Sequence, residues 1–189
     1  MDNIVLYIIC LVLGGVGACL ISRWGNVLGF MDSPNDRSSH TEVVPKGGGI
    51  GMLAAFFVCS VVLSVSKGFW IPAVLVSLFS FWGDRSEIRP KTRLLFQFAA
   101  GAILLTGVLL QKESTAVAYA LVPLLAIFVV GTANYYNFMD GINGIAGITG
   151  VVAFGLLSWF AAVEGADPRI ITLSLCVSLA CLGFLPFNM

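Results

Sequence analysis

The chain has 189 residues, of which 58% are hydrophobic and 11% charged, with a mean hydropathy of +0.97. A soluble domain carries about 25% charged residues, so this composition excludes one and describes an integral membrane protein. Ten basic and ten acidic residues cancel. The total charge therefore identifies no partner class, and nucleic acid is not an expected ligand.

The first apolar run covers residues 4–22. It follows Asp2 with no basic residue before it, so it lacks the positive start of a signal peptide. Val16-Gly-Ala-Cys19 only faintly resembles a lipoprotein cleavage box for the same reason. The five cysteines, Cys10, Cys19, Cys59, Cys176 and Cys181, all fall in apolar runs and none has metal-ligand spacing. They read as small buried apolar residues and not as a disulfide frame.

Residues 31–50, MDSPNDRSSHTEVVPKGGGI, form the longest polar stretch. Arg37 and Lys46 suit phosphate binding, the arginine as a bidentate donor. His40, the only histidine, has a pKa suited to proton transfer, although a lone loop histidine is more often simply solvated. Gly47–Gly49 precede an apolar run, where exposed backbone N–H groups and the helix dipole favour an anion. The plainer use of such glycines is close helix packing in the bilayer.

Two runs follow, 50–66 and 69–82, separated by Lys67 and Gly68 as a tight hairpin. The second is short and contains Pro72, so a re-entrant segment is the alternative to a full span. Next comes Gly83-Asp-Arg-Ser-Glu-Ile-Arg-Pro-Lys-Thr-Arg93. Its basic residues suffice as an anchor to anionic headgroups. A functional reading puts Asp84 at the rim of a site beside Asp140, to position a metal or take a proton. Runs 94–110 and 116–133 lead to the most informative stretch, Asn134-Tyr-Tyr-Asn-Phe-Met-Asp-Gly-Ile-Asn-Gly144. Asn134, Asn137 and Asp140 are spaced by three, so they share a face if the helix continues. An aspartate at the edge of a membrane run usually has a function or a partner. Amides and one carboxylate together suit a diphosphate with its magnesium ion. The plain alternative is an asparagine-rich helix end with a glycine stop. Runs 145–163 and 170–187 complete the chain.

Seven runs predict an all-α polytopic transmembrane bundle of about seven spans in one domain, 1–189. Alternating loops put Arg23, Arg37, Lys46, Arg85, Arg89, Lys91 and Arg93 on one side, and Lys67, Lys112 and Arg169 on the other. The basic excess assigns the first side to the cytoplasm and the N-terminus to the outside. No internal repeat supports an inverted-repeat transporter.

Together the three polar stretches resemble one family, the bacterial polyprenyl-phosphate N-acetylhexosamine-1-phosphate transferases of the MraY/WecA type, glycosyltransferase family 4. The residues that carry the resemblance are Asp32-Ser-Pro-Asn-Asp-Arg-Ser-Ser-His40 with Pro45-Lys-Gly-Gly-Gly-Ile50, Gly83-Asp-Arg with Arg93-Leu-Leu-Phe-Gln97, and the 134–144 stretch. It implies transfer of a sugar-1-phosphate from a UDP-N-acetylhexosamine to polyprenyl phosphate, with release of UMP and a need for Mg2+. The implied setting is the bacterial inner membrane, with the active-site loops cytoplasmic and the product initiating O-antigen or other envelope polysaccharide synthesis. By position it implies Asp84, Asp140 and His40 as catalytic, and Arg37, Lys46, Asn134, Asn137 and Asn143 as substrate-binding. Asp140 and Asn137 are the implied metal ligands.

The chain departs from the family in three places. Gly83 stands where an aspartate is usual, and Asn143 where an aspartate is frequent. The chain also ends at Met189, ahead of the family's further loop with a metal-binding aspartate and its histidine-bearing loop. The expectation is an N-terminal portion of the enzyme, working with a separately encoded second half or as a homo-oligomer. The alternatives are an inactive remnant and a non-enzymatic membrane protein that binds polyprenyl phosphate or a partner.

Overall fold

The computed structural model describes residues 3–32, 43–86, 88–111, 115–139 and 143–188, without the side chains of Asp32, Val44, Asp84, Gln111 and Met139. Among them are eight α-helices: α1 (Asn3–Leu28), α2 (Ile50–Val62), α3 (Lys67–Ser86), α4 (Pro90–Gln111), α5 (Ala116–Ala120), α6 (Val122–Met139), α7 (Ile145–Val163) and α8 (Pro168–Phe184). A 3-10 turn, Leu185–Phe187, follows α8. The first polar stretch adds a minimal antiparallel bridge that the all-α expectation lacks. Its strands are β1 (Met31–Asp32) and β2 (Val44–Pro45), paired Met31 to Pro45 and Asp32 to Val44.

Four segments are long and apolar enough to cross a bilayer: Asn3–Leu28, Pro90–Leu110, Ile145–Val163 and Pro168–Phe187. Three further apolar helices, Ile50–Val62, Lys67–Gly83 and Val122–Phe138, are shorter. At 1.5 Å per residue, α2 with its 13 residues spans only about 20 Å of a ~30 Å hydrocarbon core. The protein is an all-helical membrane protein, and each of the seven apolar runs is helical over most of its length.

Local chemistry explains the breaks. Gly29, at φ 77°, ends α1, with Phe30 N–H donating to Gly25 O at 2.8 Å and Gly29 N–H to Asn26 O at 3.3 Å, the Schellman pattern. The hairpin expected at Lys67 and Gly68 lies earlier. Ser64 turns with φ 52°, and Lys67 already opens α3. Run 116–133 is split at Leu121 because Pro123 has no N–H to continue the α5 ladder and is tolerated only in the first turn of a new helix. The stretch 83–93, expected as a loop, is mostly helix, with α3 running to Ser86 and α4 starting at Pro90.

The chain divides into two compact units, Met1–Ser64 with Met139–Met189, and Val65–Phe138. In the first unit α1, α2 and α8 interlock through small residues. A Cβ on Gly14 would overlap the carbonyl of Ala180, one on Gly51 the carbonyl of Leu13, and one on Gly183 the carbonyl of Leu11. Backbones approach this closely only where side chains are absent. Ser158 Oγ donates to Ile171 O at 2.9 Å and Ser178 Oγ to Val151 O at 2.8 Å, joining α7 to α8. Asp167 starts α8, its carboxylate accepting from Arg169 N–H at 2.9 Å.

In the second unit α3 and α4 pair, with Phe79 stacked on Phe96 at 4.1 Å between ring centroids. On α6, Ala126, Val130 and Asn134 recur every four residues and share one face. Val130 approaches Gly101 of α4, where a Cβ would meet its methyl at 3.8 Å.

Candidate functional site

The second unit contains a pocket of about 330 Å³ lined by Ile88, Pro90, Arg93, Leu94, Asn134 and Asn137. Its size falls within the usual range for small-ligand sites. Two helices supply its polar groups. These are Arg93 on α4 and Asn134 and Asn137, one turn apart on α6; Gln97 lies one turn beyond Arg93 on α4 and does not line the pocket. Helix thus continues through Asn134 and Asn137, as their spacing requires for a shared face.

The hydrogen bonds of Asn134 define what it can offer. Its Nδ2 donates to Gln97 Oε1 at 2.7 Å and to Val130 O at 2.8 Å. A carbonyl such as Val130 O accepts only, so the amide nitrogen must face it. An asparagine amide has two donor hydrogens, and both are used. The group that Asn134 presents outward is therefore Oδ1, an acceptor. It suits a hard cation, a hydroxyl or an N–H of a ligand, and does not suit a phosphate oxygen. This narrows the sequence expectation of mixed amide donors and acceptors. Among the lining residues Arg93 carries the group chemically suited to an anion, a fork-shaped guanidinium donor.

Gln97 is 8% exposed. An amide buried in an apolar helix is held by its partner, because an unpaired one is costly there. Neither Gln97 nor Arg93 was among the residues singled out as site members from sequence. By sequence Arg93 reads as a headgroup anchor, and Gln97 only as the end of the stretch that begins at Arg93. The available signal was one amide in the otherwise apolar run 94–110, one turn after an arginine.

The other sequence-named residues divide as follows. Arg37, His40 and Asp140 lie outside the described residues. Asp84 has its backbone in α3, and its side chain is outside the described set. The expected meeting of Asp84 with Asp140 therefore lies outside what the structure describes. Lys46 and Asn143 belong to the first unit. Lys46 is held by its backbone, its N–H donating to Phe30 O at 3.0 Å beside the two-strand bridge. Gly48 packs on Phe184, where a Cβ would come within 2.9 Å of the ring, so this glycine serves close packing.

Asn143 is exposed in the turn before α7. Gly144 follows at φ 76° as the N-cap of α7, a conformation that favours glycine. Asn188 completes the start of that helix: its carbonyl accepts from Gly144 N–H at 2.6 Å and its Oδ1 from Gly147 N–H at 3.1 Å. A distant asparagine thus does the work usually given to an N-cap side chain. Sequence reading missed it because the two partners are far apart in the chain.

The donor set can be tested against magnesium. Mg2+ takes oxygen ligands, usually one or two carboxylates among them. Asn134 Oδ1 meets the first condition by its hydrogen-bond pattern, and the chain carries Asp140 six residues on. Asn134 Oδ1 is an oxygen of the kind a hard cation takes, and Asp140 lies outside the described residues.

Comparison with known proteins gives a consistent picture. The chain is similar to a probable undecaprenyl-phosphate N-acetylglucosaminyl 1-phosphate transferase of Bacillus subtilis (strain 168), with 23% identity over 182 residues. That alignment covers 89% of this chain and 51% of the relative, so the chain spans about half the length of the curated relative it matches. No solved structure matches. A family model described as glycosyl transferase family 4 matches residues 66–189, a segment that takes in the whole of α3 to α8 and the pocket. The chain belongs to glycosyl transferase family 4.

Proposed function

We propose that the chain carries part of the nucleotide-sugar site of a transferase that moves N-acetylhexosamine-1-phosphate from a UDP-sugar to polyprenyl phosphate and releases UMP. The observation that carries this reading is the pocket in which Arg93 offers an anion donor while Asn134, its amide nitrogen doubly engaged, offers an oxygen. Family membership and the Bacillus subtilis relative support the reaction class.

In the proposed reaction an oxygen of the lipid phosphate forms a bond to the sugar-linked phosphorus, and the bond from that phosphorus to UMP breaks, the electron pair leaving with UMP. A bound magnesium ion supplies charge neutralisation at the diphosphate oxygens. Asp140 and Asn137 are the proposed metal ligands, and Asn134 Oδ1 is a further oxygen that a cation could take. Arg93 orients a phosphate. Asp84 handles a proton or supports the metal. Arg37, His40, Lys46 and Asn143 hold the nucleotide-sugar. The loops face the cytoplasm of the bacterial inner membrane, as the basic excess on their side favours, with about seven spans and the N-terminus outside. The product would initiate an envelope polysaccharide such as O-antigen.

The test is magnesium-dependent UMP release from UDP-N-acetylhexosamines in membranes supplied with undecaprenyl phosphate. Membranes hold this chain alone, or this chain with the part of the Bacillus subtilis relative that it does not span. The expected result is no turnover alone, because about half the relative's length is unmatched, and turnover with the second part present. Full turnover by the chain alone would remove the role given to that second part. No turnover and no UDP-sugar binding in either case would favour an inactive remnant or a purely lipid-binding protein.

A further inference from the structure

The first unit holds a group of side chains that the transferase reading does not use. Cys10 of α1, Cys59 of α2 and Cys176 of α8 meet at one level of the helix packing, with their three Sγ atoms within 4.8 Å of one another. All three are 0% exposed. Cys10 Sγ and Cys59 Sγ are 3.1 Å apart, well beyond a disulfide bond of ~2.05 Å, and all five cysteines are free. Sequence spacing concealed this, since the three lie in three separate runs.

Close packing alone does not require the sulfurs. One turn along each helix the interface is made by Gly14, Ala55 and Ala180, which carry no group that could ligate a metal. Here each of three helices contributes a thiol to the same layer. A metal bound to three sulfurs at ~2.3 Å in a plane needs S···S edges of about 4.0 Å, within the 4.8 Å that contains all three sulfurs, with Cys10 and Cys59 closer at 3.1 Å. Among the described residues no carboxylate or imidazole joins the cluster. Soft thiolates without hard ligands select thiophilic ions such as Cu(I) or Zn(II).

We propose that Cys10, Cys59 and Cys176 form a three-sulfur site for a soft d10 metal ion inside the membrane bundle. Charge restricts the bound form. For a divalent ion, two thiols lose protons to solvent and the third ligates as the thiol, which leaves the complex neutral. For Cu(I), one proton leaves. A neutral complex is the form that a surrounding of apolar helices tolerates. Because the ligands come from α1, α2 and α8, ion binding adds directly to the stability of that three-helix contact.

The test uses the full chain, reduced and metal-free in detergent, with Cd(II) as the probe in one arm and Zn(II) or Cu(I) in others. Expected are one tightly bound equivalent, a sulfur-to-cadmium charge-transfer band, a raised unfolding temperature, and metal protection of three of the five thiols from a maleimide in the denaturing step. Cys10→Ala, Cys59→Ala and Cys176→Ala should each lose the band, and Cys19→Ala and Cys181→Ala should keep it. Serine replacements serve where an alanine variant fails to fold. Absence of saturable binding, retention of the band in a folded variant of any one of the three, or its loss on changing Cys19 or Cys181 would overturn the site. The outcome is independent of transferase activity.

Discussion

The two units solve the problem of holding helices together in lipid in opposite ways. Where α1, α2 and α8 meet, the first unit uses absence. Gly14, Gly17, Gly51 and Gly183 remove side chains so that backbones touch, and the apolar exterior is left to lipid. The second unit uses presence. Phe79 stacks on Phe96, and a buried amide pair, Gln97 with Asn134, ties α4 to α6. Close backbone packing tolerates no change, whereas polar and aromatic links leave openings. The pocket with Arg93, Asn134 and Asn137 lies in the unit built by the second method. In the second unit directed hydrogen bonds leave space for a pocket of about 330 Å³, whereas the thiol layer of the dense first unit has space for a single ion at most.

Substitution in the glycine contacts should break this contrast most forcefully. Gly14→Val places a branched side chain against the fixed carbonyl of Ala180, which no rotamer relieves. A loss of about 3 kcal/mol or more is expected, read as loss of folded protein in detergent. Gly131→Ala in α6 meets nothing within 4 Å and should be neutral or stabilising by up to ~1 kcal/mol. Equal effects of the two would erase the distinction between the units.

Next in size is the positioning of Asn134. Gln97→Leu removes the acceptor for its amide nitrogen. If Asn134 takes a magnesium ion as proposed, then by analogy with groups that orient metal ligands the magnesium concentration for half-maximal nucleotide binding should rise about 10–100-fold. Gln97→Glu keeps an acceptor at the same place and should recover most of it. If both variants bind magnesium as the parent does, Gln97 is structural only.

Phe96→Ala should cost less, about 0.5–1.5 kcal/mol for the lost stack, because lipid replaces much of the apolar contact. Its effect on unfolding should leave metal protection of the first unit's thiols unchanged.

The smallest effect concerns the exposed turn before α8. The Arg169 backbone N–H, and then its side chain, hold the Asp167 carboxyl below its ordinary value of 3.8. A depressed carboxyl contributes stability that is present above its unfolded value and lost as the pH falls through the folded one. The difference in unfolding temperature between the parent and Asp167→Asn should therefore be small near neutrality, begin to shrink as the pH falls below about 3.8, and vanish only below the lower folded value.

Composition and apolar run lengths made the membrane class and the helical fold legible, because hydropathy over ~20 residues is a strong signal. Helix ends were less legible. Ser64 takes a left-handed turn that its residue type does not announce, and Pro123 starts a helix inside what reads as one run. At the site, helical spacing identified Asn134 and Asn137, but the pairing that orients Asn134 depends on α4 and α6 packing together. The thiol layer was hidden for the same reason. Periodicity reports the face of one helix, and contacts between three helices leave no local mark.

The clasp of Asn188 on the first turn of α7 carries a consequence for biosynthesis. Gly147 and Asn188 are 41 positions apart, so a ribosome that has released the NFMDG segment has yet to make the group that closes the turn behind it. At about 5–20 residues per second, that turn waits on the order of seconds for α8 to emerge and insert. The downstream border of the motif is therefore among the last features of the first unit to take its final form.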